Sequence, residues 1–328
     1  MKLKAYFISL ILIISAASEL ISSTPVELNG ALSIDGIFVK NEKGEIISLA
    51  GPSLFWSNVG WGGDKFYNEE VVKRIAIDWK ANIIRVPMGV DANGGYLDHP
   101  SNYQKVKTVI EAAISAGIYV IVDWHSHHAE DHQQEAIDFF SELAKTYGNH
   151  PNIIYEVYNE PLSVSWSDVI KPYAEKVIDV IRKHDPDNII VVGTPHWSQD
   201  IDVASKDPIS GYKNIAYALH FYAGSHSRHL REKAETAISN GIAIIVTEWG
   251  TVNANGDGAI ATSSVNEWLD FMRKHNISHC NWALNDKAEG ASSLIPKADT
   301  LGRWSNSDLT ESGVMIKKII SKWNTYEN

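Results

Sequence analysis

The chain has 328 residues, with 44% hydrophobic and 21% charged residues and a formal charge of −11. That composition supports a substantial buried core and argues against a disordered chain. The acidic balance argues against nucleic acid or an anionic membrane as partner, because a polyanion is repelled, whereas an uncharged polymer is indifferent to the field.

Residues 1–18 read as an export signal. Lys2 and Lys4 give a positive start, Phe7 to Ile14 form a short apolar run, and Ala16, Ala17 and Ser18 offer a small-residue cleavage region. The run is too short to span a bilayer comfortably, so a secreted protein free of the membrane after cleavage is expected. No linker, low-complexity tract or repeat interrupts the remainder, and residues 24–328 are expected to form one domain. Cys280 is the sole cysteine, cannot form an intrachain disulfide, and reads as a buried strand residue.

Ala31 to Ser48 opens with one or two hairpins, signalled by Asp35-Gly36 and Lys43-Gly44. Strands are predicted at Ile46–Ala50, Asn82–Met88, Tyr119–Asp123, Ile153–Tyr158, Ile189–Val192, Ala216–His220, Ile244–Thr247 and His279–Leu284. Between them, Tyr103–Ala116, Glu135–Tyr147, Tyr173–Lys183, Leu230–Asn240 and Val265–His275 carry apolar residues three and four apart, as amphipathic helices do. Such alternation implies an α/β fold of parallel βαβ units, and eight strands close a (β/α)8 TIM barrel, here with a small N-terminal β-hairpin. A doubly wound sheet would place a glycine-rich phosphate turn after the first strand, and Gly51-Pro52-Ser53-Leu54 is not one. Polar groups favour the barrel too. Arg85, His125, Asn159-Glu160, His220, Tyr222, Glu248 and Trp282 stand at or near strand ends, where barrel enzymes gather their sites.

Two motifs carry chemistry. In Ile153-Ile154-Tyr155-Glu156-Val157-Tyr158-Asn159-Glu160-Pro161 an apolar strand delivers Glu160 at a rigid turn, and in Ile244-Ile245-Val246-Thr247-Glu248-Trp249-Gly250 another delivers Glu248. One such glutamate alone could be a salt-bridged cap. Two, on the fourth and seventh strands of one barrel, are what cleavage of an acetal between sugars requires: one carboxyl protonates the leaving oxygen, the other attacks or activates water. Eleven Trp and thirteen Tyr supply flat rings suited to the apolar C–H faces of sugars.

From about Leu32 to Lys322 the chain resembles the cellulase group of glycoside hydrolase family five, in clan A. The motifs are Arg85 in Ile-Ile-Arg-Val, Val122-Asp123-Trp124-His125, Tyr158-Asn159-Glu160-Pro161 and Gly193-Thr194-Pro195-His196-Trp197-Ser198-Gln199. They continue in His220-Phe221-Tyr222-Ala223-Gly224, Thr247-Glu248-Trp249-Gly250-Thr251, Asn281-Trp282 and Lys287-Ala288-Glu289. The resemblance implies a retaining endo-β-1,4-glucanase with Glu160 as acid/base and Glu248 as nucleophile, acting on a β-glucan without cofactor or metal; a monomer is expected. It also implies a cis Trp282–Ala283 bond. Within the same fold, β-mannanase and mixed-linkage β-glucanase remain alternatives; a catalytically inactive carbohydrate-binding barrel is a remote one.

The remaining roles follow. Arg85 cannot lose its charge and would keep Glu248 ionised. Asn159 can donate to the sugar 2-hydroxyl. His125 and His220 suit substrate hydroxyls and the carboxylates, and Tyr222 can donate to Glu248. Trp282 is the expected platform under the reactive sugar, with Trp197, Trp61 and Trp56 at flanking positions, and the resemblance implies that Lys287 and Glu289 clamp a neighbouring sugar. The family's histidine after the first strand is replaced here by Leu54-Phe55-Trp56-Ser57-Asn58. His125, His127, His128 and His132 suggest a metal-dependent barrel hydrolase, but matching ligands on other strands are lacking, so His127, His128 and His132 read as cleft-rim residues.

Overall fold

The computed structural model describes residues 23–324, so the expected export signal lies outside the described residues. Alternation along the apolar strands shapes the architecture. On β4 (Ile83–Gly89), Ile84, Val86 and Met88 join the core shared with the helices, while Ile83 belongs to a separate inner cluster. β5 (Tyr119–His125) does the same, with Val120, Val122 and Trp124 outward and Tyr119 and Ile121 inward. A strand whose two faces are both buried must be covered on both sides, and closing the sheet on itself achieves this.

The strands β3 (Ala50–Leu54), β4, β5, β6 (Ile153–Glu156), β7 (Ile190–Val192), β8 (Ile215–Tyr222), β9 (Ile244–Gly250) and β10 (His279–Leu284) form a closed barrel with β10 beside β3. Every neighbouring pair is parallel. The helices α2 (Glu69–Asp78), α3 (Asn102–Ala116), α4 (Gln133–Tyr147), α5 (Lys171–Arg182), α8 (Arg228–Ser239), α9 (Thr262–Lys274) and α10 (Glu311–Asn324) lie between or after them, and the five predicted helices match to within three residues at each end. Short helices α6 (Pro195–Ser198) and α7 (Ile201–Ala204) join β7 to β8.

The N-terminal segment plugs the bottom of the barrel. Helix α1 (Pro25–Asn29) precedes a hairpin of β1 (Ser33–Asp35) and β2 (Phe38–Lys40), turned at Gly36 with φ +59. Leu32, Val39 and Leu49 pack with Ile121, Ile154, Val191 and Ile245, each such buried aliphatic contributing roughly 1.5–3 kcal/mol relative to exposure.

One strand is displaced from its predicted position. The first barrel strand is Ala50–Leu54, not Ile46–Ala50. Leu49 belongs to the plug, and Ile46 bridges antiparallel to Lys40. Gly51-Pro52, a breaker by composition, lies inside the ladder because a Cβ on Gly51 would sit 1.7 Å from the Ile83 carbonyl oxygen. Elsewhere β6 ends in the ladder at Glu156, and β8 and β9 run on to Tyr222 and Gly250.

Candidate active site

Above the inner apolar cluster, the inward positions turn polar. Arg85 on β4 is fully buried and makes ion pairs with Asp123 at 2.9 Å, Glu156 at 2.7 Å and Glu248 at 2.8 Å. Its Nη2 also donates to Asn159 Oδ1 at 2.6 Å, leaving the Asn159 Nδ2 buried without a protein partner among the described residues. A planar guanidinium with five donors suits such a hub.

Glu248 owes its direction to an irregularity in β9. Pairing with β8 runs Ala218 to Ile245 and then His220 to Glu248, so β9 holds one extra residue. The bulge lets Thr247 and Glu248 both meet the polar interior while Trp249 returns to the outer core. The Tyr222 hydroxyl donates to Glu248 Oε1 at 2.7 Å and Arg85 Nη1 to Oε2 at 2.8 Å. Burial and the nearby Glu160 push the Glu248 carboxyl above its usual range, against the pull of Arg85, His220 and Tyr222.

Glu160 follows β6 and is only partly buried. His220 Nδ1 lies 2.9 Å from Glu160 Oε1, and His220 Nε2 lies 2.8 Å from Thr247 Oγ1. Each ring nitrogen of His220 therefore faces a protein partner. One donor or acceptor atom from each of Glu160, His220 and Glu248 lies within 4.8 Å of the others. Among the described residues this is the one histidine–carboxylate cluster gathered at metal-ligand distances; His125, His127, His128 and His132 do not form one. His125 Nδ1 sits 2.6 Å from Asp123 Oδ2, and burial lowers its pKa well below the usual histidine value, so the ring is neutral.

Aromatic rings line the opening. The His125 ring stacks on Trp282 at 5.3 Å, Trp56 meets His125 edge-on at 4.0 Å, and Trp56 lies 5.2 Å from Trp61. The Trp282–Ala283 bond is cis, as the resemblance implied. Trp61 and Trp197 are each 40% exposed. His196 and Trp197 have φ of 60 and 56, a left-handed backbone that side chains rarely adopt and that loops at binding surfaces often retain. A groove of about 480 Å³ between Trp56, His127, His132 and Trp197 continues past Trp197 into one of about 410 Å³ lined by Glu160, His220 and Tyr222. Lys287 and Glu289 pair at 2.6 Å.

A sequence model described as cellulase (glycosyl hydrolase family 5) matches residues 40–288. The chain belongs to glycosyl hydrolase family 5. Over 277 residues it is 57% identical to Endoglucanase Z of Dickeya dadantii, a match covering 84% of this chain and 63% of that protein. The chain thus spans less than two-thirds of that relative. A solved structure from Cytophaga hutchinsonii has a TM-score of 0.89 at 47% identity, covering 92% of this chain and 98% of that one. The catalytic domain of Thermobifida fusca endoglucanase Cel5A gives 0.86 at 33% identity, covering 91% and 99%.

In this family 5 barrel Arg85, His125, Asn159, Glu160, His220, Tyr222, Glu248 and Trp282 converge at one mouth, with Trp56 and Trp197 along the groove. Trp61 reaches it through Trp56. Sequence reasoning gave no role to Asp123, Glu156 or Thr247. Only Asp123 shares its strand face with a functional residue two positions along, His125; Glu156 and Thr247 follow the apolar Ile154 and Ile245 of the inner cluster, which gives no polar signal.

Proposed function

We propose that the chain is a secreted, retaining endo-β-1,4-glucanase. The carrying observation is the carboxylate pair: oxygens of Glu160 and Glu248 lie within 4.8 Å of each other across the barrel mouth. That spacing belongs with the ~5–5.5 Å carboxyl separation of retaining enzymes rather than the roughly 6.5–9.5 Å that leaves room for a water. The asymmetry of their partners supports the division of roles. Glu248 receives donors from Arg85 and Tyr222, which hold a carboxylate anion for attack. Glu160 is the more exposed and faces a titratable ring, as an acid/base should.

Glu160 protonates the glycosidic oxygen while Glu248 attacks the anomeric carbon; Glu160 then takes a proton from water as the glycosyl-enzyme is hydrolysed. The orphaned Asn159 Nδ2 is free to donate to the 2-hydroxyl. Trp282 beneath the mouth and Trp56 and Trp197 along the groove suit the faces of successive sugars. The steps need no metal or cofactor. Secretion rests on the pattern of residues 1–18, and cellulose as substrate on the names of the relatives. Proton NMR during early hydrolysis of a cello-oligosaccharide should show the β-anomer first. Initial α-anomer overturns the retaining mechanism, and faster cleavage of mannan than of glucan in a polysaccharide panel overturns the substrate.

A further inference from the structure

Glu156 is fully buried, and no hydrolytic step uses it. Its oxygens are nonetheless engaged. Oε2 accepts from Arg85 Nε at 2.7 Å, while Oε1 accepts from Arg85 Nη2 at 3.3 Å and from the Thr247 hydroxyl at 2.6 Å. A hydroxyl has one proton to give. With that proton directed at Glu156, Thr247 Oγ1 can only accept from His220 Nε2, 2.8 Å away. Nε2 must then carry a hydrogen in every charge state of the ring. Nδ1, 2.9 Å from Glu160 Oε1, is the one ring position whose proton can vary.

We propose that Glu156 and Thr247 are positioning residues that fix a proton on His220 Nε2, making His220 Nδ1 and Glu160 Oε1 the two ends of a single movable proton. This deepens the retaining-hydrolase reading and rests on it. With the proton on Glu160, the neutral ring accepts through Nδ1; with it on Nδ1, an imidazolium faces a carboxylate. Burial opposes charge on the ring, but the carboxylates around it outweigh it and raise the pKa to about 9: Glu156 Oε1 lies 3.6 Å from Nε2, Glu160 is hydrogen-bonded at Nδ1, and Glu248 is close by. The shared proton is therefore held near neutral pH. Once Glu160 protonates the leaving oxygen, a carboxylate confronts the Nδ1 lone pair. Taking a proton from water in the second step relieves that repulsion and returns the pair to its starting count. The opposite tautomer, with hydrogen fixed on Nδ1, would bind Glu160 permanently as an anion and weaken it as an acid.

Glu156→Gln tests the relay by reversing it. Arg85 Nε demands an acceptor, so the amide oxygen takes the Oε2 place and the NH₂ faces Thr247. Thr247 then accepts from Gln and donates to Nε2, which leaves hydrogen on Nδ1. Nitrogen-15 NMR of the labelled full chain should show His220 Nε2 protonated from acid to alkaline pH in the unsubstituted protein and in Thr247→Ser, and the proton moved to Nδ1 in Glu156→Gln. The same variant should lose kcat on cello-oligosaccharides at least about tenfold more than on aryl glycosides whose leaving groups need no protonation. An unprotonated Nε2 in the unsubstituted protein overturns the proposal even if Glu156→Gln fails to fold. So does an equal loss on both substrates with the tautomer unchanged. The NMR result is independent of turnover, so release of α-anomer first would sink the hydrolytic reading and leave the tautomer standing.

Discussion

At Arg85 one guanidinium serves Asp123, Glu156 and Glu248, all inside the barrel. Removing one partner of a buried charge cluster strands the others in a medium of low polarity. Arg85→Met should therefore destabilise the fold by about 3–5 kcal/mol, read from urea unfolding. Arg85→Lys keeps the charge but not the fork, so it should cost less stability while still disturbing Glu248. The sign is fixed by charge: a weaker cation beside Glu248 favours its protonated form, so the acid limb of kcat/KM should move to higher pH. An acid limb unmoved in Arg85→Lys would show that Arg85 does not hold the nucleophile ionised. The two glutamates should separate equally cleanly. Glu248→Ala should lose turnover and regain it with azide, which fills the nucleophile's place and inverts the anomeric centre. Glu160→Ala should keep more activity on substrates with good leaving groups, which need no proton. The swapped pattern would reverse the assignment.

Among the elements, strand β3 shows where sequence patterning stops. Periodicity placed the barrel and its helices because apolar runs and amphipathic spacing are local properties. It displaced the first strand because Ile46 to Leu49 looks more strand-like than Ala50-Gly51-Pro52-Ser53-Leu54, and only the neighbouring strand explains the glycine. The Ile83 carbonyl approaches so closely that Gly51→Ala forces backbone apart, and a loss of about 3 kcal/mol or more is expected in thermal unfolding. An unchanged Tm would contradict the packing of β3 on β4. Glu160 and Glu248 were legible from strand-end position, but the roles of Asp123, Glu156 and Thr247 were not, because they arise from contacts between strands whose residues lie 27 to 91 positions apart. The β9 bulge is equally invisible: it exists only in the register against β8.

Across the whole molecule, buried histidines should set the pH range of the fold. His279, on β10, is buried with Nδ1 accepting from Trp249 Nε1 at 3.1 Å, and burial lowers its pKa to about 3. The unfolded ring, with a pKa near 6.5, takes up a proton that the folded ring refuses. Its contribution is thus present above about pH 6.5 and lost as pH falls toward 3, by roughly 2–4 kcal/mol. His125, also held neutral by burial, acts in the same direction. His220 acts in the opposite sense. Its folded pKa of about 9 means that the native state retains a proton the unfolded chain gives up above 6.5. That stabilisation is complete below about pH 6.5 and disappears as pH rises through 9. The two trends meet near pH 6.5, where Tm should peak. His279→Gln, which keeps an acceptor for Trp249 but cannot titrate, should flatten the acid side and leave the alkaline side alone. His220→Asn should flatten the alkaline side and leave the acid side alone. A profile that kept rising to pH 9 in the unsubstituted protein would show that His220 is not held protonated between Glu156 and Glu160.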